Sequence, residues 1–148
     1  MTINPNGNST YAPADFRRAL WKRWVALRNA DLAQAEEIVV PALVLHVPAI
    51  GQGLDRAGGR RALLSWISAL HAAFPAGRLA VEVGPIISKD LIAGRWVFTR
   101  HGDEGRAAAD DVSFTGTDII RVEGGRVVEF WVNHDVLGQA VPLGPVAV

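Results

Sequence analysis

The chain changes its hydrophobic rhythm once, near Arg78, and that single change limits the folds open to it. Before it, apolar residues recur every three to four positions, and after it they alternate. Asp15 to Asn29 sets Phe16, Leu20, Trp24 and Leu27 on one stripe, with Arg17, Arg18 and Lys22 elsewhere, which predicts an amphipathic helix capped by Asp15. A second short helix is predicted from Leu32 to Ile38, opened by Asp31 and closed before Pro41. Leu43 to Val47 reads as a short strand. Pro48 to Gly59 holds five Gly or Pro residues and reads as a loop. Arg60 to Phe74 returns to helix, with Leu63, Ile67, Leu70 and Phe74 on one side, and Pro75 and Gly77 stop it.

Beyond that point the pattern predicts strands at Arg78–Ser88, Leu91–His101, Val112–Glu123 and Arg126–Asp135, with turns at Lys89-Asp90 and Gly124-Gly125 and a longer loop from Gly102 to Asp111. Helices gathered ahead of an antiparallel meander define an α+β fold, four long strands and a short one with about three N-terminal helices on one face of a curved sheet. At 148 residues the chain suits one core. Residues 1–12 are polar and expected to be a flexible tail, and residues 13–148 a single domain.

Composition removes several functions. Fifteen basic residues balance fifteen acidic ones, so no basic stripe is available for nucleic acid. There is no cysteine, and four scattered histidines leave little for a metal, so no metal site and no cofactor are expected. No apolar run spans a bilayer and the N-terminus is unlike a secretory signal, which points to a cytoplasmic protein with no membrane partner.

The hairpins supply candidate site residues. With Gly124-Gly125 as a two-residue turn, Asp118 falls opposite Trp131, Gly116 opposite Asn133 and Phe114 opposite Asp135 on one face. Ile119, Val128, Phe130, Val132, Thr115 and His134 then take the other face, and His134 is set aside unless a bulge intervenes. The Lys89-Asp90 turn groups Val81, Val83, Ile87, Ile92, Trp96 and Phe98, and leaves Glu82, Arg95, Val97, Thr99 and His101 opposite, with Gly84 facing Arg95. A Trp on a polar face beside a carboxylate suits the wall of a pocket for a flat apolar ligand.

At these residues the sequence resembles the SnoaL-like polyketide cyclases of the nuclear-transport-factor-like cone fold. The likeness runs from about Phe16 to Gly144. It rests on Leu64-Ser65-Trp66-Ile67 leading into Ala73-Phe74-Pro75, on Gly94-Arg95-Trp96, and on the stretch from Phe114-Thr115-Gly116-Thr117-Asp118 through Gly124-Gly125 to Phe130-Trp131, followed by Asp135 and Leu137-Gly138. Two places depart from the family pattern, Thr99-Arg100-His101 and Pro142-Leu143-Gly144. The resemblance implies a cone with an internal pocket, an aldol-type ring closure on a polyketide intermediate of secondary metabolism, no metal or organic cofactor, and Asp135, four residues after the strand Trp, as general acid/base.

His101 is expected to act beside Asp135, sharing its proton or hydrogen-bonding a substrate carbonyl, with a solvent-exposed edge residue as the alternative. Arg95 either holds an enolate or carboxylate oxygen of the substrate or pairs with Glu82. His46, Trp131, Asn133, Asp118 and Trp66 are expected to line the substrate pocket. An isomerase, an epoxide hydrolase or a binding module remain as alternatives on this fold, although the hydrolase arrangement lacks its middle carboxylate because Val97 follows Arg95 at that spacing. The apolar sheet face (Val81, Val83, Trp96, Phe98, Phe130, Val132) is expected to be buried in a homodimer.

Overall fold

The structure, a computed structural model, describes residues 11–47, 58–101 and 111–135. Helix α1 (Ala14–Arg28) is followed by α2 (Gln34–Ile38), strand β1 (Val39–His46), helix α3 (Gly59–Ala73) and strands β2 (Arg78–Ser88), β3 (Leu91–Arg100), β4 (Val112–Glu123) and β5 (Arg126–Asp135). Pro13, rather than Asp15, stands at the N-cap of α1, and Asp15 lies in the first turn, where its charge suits the helix N-terminus. The predicted tail, the Gly- and Pro-rich stretch at 48–57, most of the Gly102 to Asp111 loop, and the Leu137-Gly138 and Pro142-Leu143-Gly144 segments lie outside the described residues.

The five strands form one curved, unclosed sheet in the order β1-β5-β4-β3-β2, which makes the fold α+β. Four strands run antiparallel as expected, but β1 pairs with β5 in parallel, so the sheet is mixed. Helices α1 and α3 cover its inner face. Leu20, Trp24 and Leu27 of α1 and Leu63 and Ile67 of α3 are buried, and they meet Ile92, Trp96, Phe98, Phe114, Ile120, Phe130 and Val132 from the strands. Phe16, assigned to the same stripe, is 47% exposed.

Register shifts in both hairpins, two between β2 and β3 and one between β4 and β5, overturn the pairing expected from the turns. In the last hairpin Glu123 pairs with Arg126 and Val122 with Val127, as two-residue turn counting requires, but Arg121 then pairs with Glu129. One extra residue in β5 shifts everything beyond it, so Asp118 pairs with Val132, Gly116 with His134 and Thr115 with Asp135. Because side chains alternate, the slip exchanges faces: His134 joins Asp118 and Phe130 on the inner face, and Trp131, Asn133 and Asp135 go to the outer one. In the first hairpin Val81 pairs with Trp96 but Val83 with Arg95, so Val83, not Gly84, stands opposite Arg95, and Val83 is exposed.

The premise of the expected homodimer, an apolar sheet face left bare for a second copy, does not hold for the residues at its centre. Trp96, Phe98, Phe130 and Val132 are each 2% exposed or less within a single chain, because α1 and α3 already cover them. The pocket side therefore reverses, and the helix-covered face is the interior of the cone.

Candidate active site

Inside the cone the polar centre is Asp118 of β4, which is 1% exposed. Four N–H groups converge on its two carboxylate oxygens. Trp24 Nε1 donates to Oδ2 at 2.9 Å and Trp96 Nε1 to Oδ1 at 2.8 Å, while Arg28 donates from Nε to Oδ2 at 2.8 Å and from Nη2 to Oδ1 at 3.3 Å. Local structure makes this convergence possible. Trp24 and Arg28 lie four residues apart on α1 and so share its inward stripe. Gly116, two residues before Asp118 on the same face, leaves the room that the Trp96 indole fills, since a Cβ there would lie 2.4 Å from Trp96 Cζ2. A carboxylate has about four acceptor positions, and here all are used, which makes Asp118 a fixed anchor rather than a free base.

Four buried side-chain atoms have no hydrogen-bond partner among the described residues, Arg17 Nε, Trp21 Nε1, Arg28 Nη1 and His134 Nε2, and the last two lie close to Asp118. One aromatic shell holds both residues. The Arg28 guanidinium carbon lies 4.5 Å from the ring centre of Trp66 and 5.4 Å from that of Trp96, and the His134 ring lies 5.7 Å and 5.3 Å from the same two rings. Phe130 and Phe114 complete the walls. His71 of α3 meets the Arg28 carbonyl at 2.8 Å and ties the end of α1 to α3. Burial pushes the His134 imidazole down to about 4, with the Arg28 charge adding to the effect and Asp118 and Asp135 opposing it. At neutral pH this ring is uncharged.

The outer face carries the other candidates. Arg95 donates to Asp135 Oδ2 at 2.7 Å and to Thr115 Oγ1 at 3.1 Å, and the Thr115 hydroxyl donates to the same Asp135 oxygen at 2.8 Å. Those two donors, Thr115 first, hold the Asp135 carboxyl below the usual carboxylate range. Its side chain is 51% exposed, so the buried, inward-facing acid expected at this position is not what the structure contains. Glu82 stands 3.7 Å from Arg95.

A separate outer groove of about 510 Å³ brings together His46, Trp131 and Asn133, with Leu91, Ile119 and Arg121. There His46 stacks on Trp131 at 5.0 Å and meets Glu129 at 2.7 Å, while Arg121 spans Glu129 and Asp90. The hydrogen bond from His46 lowers the Glu129 carboxyl below its ordinary range. His101, at the end of β3, is 83% exposed and 3.7 Å from Asp111, remote in kind from either cluster.

The sheet thus divides the expected residues into three groups: Asp118 and Trp66 inside, Arg95 with Asp135 outside, and His46 with Trp131 and Asn133 in the outer groove. Sequence reasoning missed Arg28, Trp24 and Trp96 as partners of Asp118, and it set His134 aside. Arg28 had a usable signal, since it lies at i+4 from Trp24 and i+8 from Leu20, an arginine on an apolar stripe. Among the described residues no cluster of three or more His, Cys, Asp or Glu side chains could hold a metal, and no helix is long and apolar enough to cross a membrane.

A curved sheet covered on one side by two helices, with polar groups enclosed between them, is the architecture of the cone-fold α+β domains. The chain belongs to the SnoaL-like domain family, whose model matches residues 14–130. Among solved structures it is similar to IdmH of Streptomyces antibioticus, described as a candidate polyketide cyclase, at 25% identity and a TM-score of 0.67 over 87% of this chain and 96% of that one. A loop-truncated IdmH variant matches at 27% identity and a TM-score of 0.68, over 90% of this chain and 100% of the other. A SnoaL-like protein from Jannaschia, at 14% identity, a TM-score of 0.68 and coverage of 88% and 94%, shares the fold. No curated protein matches the chain.

Proposed function

We propose that this protein is a cyclase-type enzyme that closes a ring on a polyketide-type intermediate by acid/base chemistry inside the cone. The observation that carries this reading is the pair of unpartnered buried atoms, Arg28 Nη1 and His134 Nε2, within one aromatic shell. Buried polar atoms are almost always satisfied, so two together mark a place where a ligand supplies the missing partner.

An uncharged imidazole can accept a proton from a carbon flanked by carbonyls. That carbon then attacks a second carbonyl of the same chain, and the imidazolium returns the proton to the new alkoxide. The proton count closes without a cofactor. Arg28 donates to the oxygen on which charge builds, and Asp118 keeps the guanidinium from turning. Trp66 and Trp96 supply flat walls for an unsaturated substrate. Asp135 is less suited to this role, because its carboxylate is spent on Arg95 and Thr115 and open to water. On this reading the enzyme works in the cytoplasm, in secondary metabolism.

The test is incubation with a panel of synthetic poly-β-ketone thioesters, with cyclised product followed by chromatography and mass spectrometry. The wild-type chain is expected to accelerate closure of at least one, and His134→Phe to lose about 100-fold or more of that rate. Absence of cyclisation across the panel, or full activity in His134→Phe, overturns the reading.

A further inference from the structure

We propose that Arg28 and His134 form a proton-coupled seat for one anionic oxygen, a carboxylate or an enolate, so that the anion binds together with a proton that comes to rest on the imidazole. This rests on the reading of the cone interior as the substrate site, and it names the charge state of what enters.

The reasoning starts from charge balance. Arg28 and Asp118 compensate each other while buried, 0% and 1% exposed, and His134 adds no charge. An anion beside a wall of zero net charge would lose its hydration with no opposite charge in return. Yet the wall carries an unused guanidinium N–H, on Nη1, beside an imidazole with an unpartnered nitrogen. The group that can restore neutrality is His134. The charged residues acting on it are Arg28 from α1, Asp118 from β4 and its neighbour Asp135 on β5, while the rings packed on it, Trp66 from α3, Trp96 from β3 and Phe114 from β4, are uncharged.

Both aspartates are already engaged, Asp118 by Arg28 and the two indoles, Asp135 by Arg95 and Thr115. Neither is free to hold a proton on His134, and burial with the Arg28 charge keeps it neutral at about 4. A bound oxyanion reverses that balance, because an opposite charge in contact favours imidazolium. Arg28 Nη1 and the imidazolium N–H then donate to the same oxygen, and the two orphan atoms are satisfied at once. An uncharged carbonyl would take one hydrogen bond from Arg28 and leave the imidazole unprotonated.

Three probes on the full chain separate the cases: benzoate as a carboxylate, cyclohexane-1,3-dione as an enolate, and cyclohexanone as the neutral control. Calorimetry near neutral pH in buffers of different protonation enthalpy counts protons, and ring-nitrogen NMR, assigned by the signal lost in His134→Phe, reports the imidazole. The expected result is uptake of about one proton per bound anion, an imidazolium signature at His134, and affinity that falls about tenfold per pH unit on the alkaline side. Binding by one probe alone identifies the oxyanion source. Cyclohexanone should bind at least tenfold more weakly, and folded His134→Gln should bind the anion without proton uptake. Failure of both anions to bind, or binding that leaves His134 neutral, overturns the proposal. Proton-coupled binding without ring closure of any thioester would leave the seat standing and remove the cyclase, and ring closure with a neutral His134 in both probe complexes would do the reverse.

Discussion

Trp24 and Trp96 share one carboxylate, each indole N–H donating to a different oxygen of Asp118, at 2.9 and 2.8 Å. With Arg28 on the same group, the buried charge pair joins α1 to β3 and β4. Breaking such a pair from one side leaves an uncompensated buried charge, which costs about 3–5 kcal/mol. Asp118→Asn should therefore lower unfolding stability in urea by about that amount. The double variant Arg28→Met with Asp118→Leu should recover part of the loss, because it removes both charges. Equal loss in both variants would show that the indoles, not the ion pair, dominate.

His134 makes stability depend on pH in a defined window. Its folded value of about 4 lies below the ordinary 6.5, so the unfolded chain binds more protons between those two values. The contribution is present above 6.5 and is lost as pH falls toward 4, on the order of 2 kcal/mol after allowance for the part of the ring that solvent reaches. Wild-type denaturation midpoints should drop across that window, and those of His134→Phe should stay nearly flat. Asp135 is also depressed, but from 3.8, so its contribution fades only below that value and the two effects separate.

Gly116→Ala tests the space beside the Trp96 indole. The added methyl would lie 2.4 Å from Trp96 Cζ2 and 2.4 Å from the Asn133 carbonyl oxygen, and neither backbone nor a packed indole yields cheaply. A loss of about 1–3 kcal/mol is expected, together with a shifted Trp96 indole N–H resonance as the ring leaves Asp118. An unshifted resonance in a stable variant would mean that β4 flexes to make room.

On the outer face Asp135→Asn removes one partner of a half-exposed pair. The expected stability change is below about 1 kcal/mol. Turnover of any thioester cyclised by the wild type should persist, in contrast to His134→Phe. Loss of turnover in Asp135→Asn at unchanged stability would move the chemistry to the Arg95 side of the sheet.

The elements were legible because periodicity reports burial, and burial sets where strands and helices begin. Three of the four long strands have the predicted ends, and the fourth stops one residue earlier, at Arg100. What failed was the face of the β5 residues from Glu129 onward and, in the first hairpin, the residue opposite Arg95. Turn counting fixes register only while both strands keep step, and the extra residue of β5 lies in a run of Val127, Val128 and Glu129 that carries no glycine to mark it. Matching apolar faces would have found it: Phe114, Ile120 and Val122 alternate in β4 as Phe130 and Val132 do in β5, and these sets must share a core. Asp118 was singled out from sequence, but its partners come from α1 and β3, contacts across 90 and 22 residues that no local spacing encodes.

The bulge in β5 has a consequence for how such a protein could change. Deleting Val128 alone would close the bulge yet leave Glu129 opposite Arg121 and His134 opposite Gly116, so the imidazole would stay inside and the Asp135 carboxylate outside. Loss of one codon at the bulge would therefore spare the chemistry of the interior, which is set by how the far end of the strand pairs.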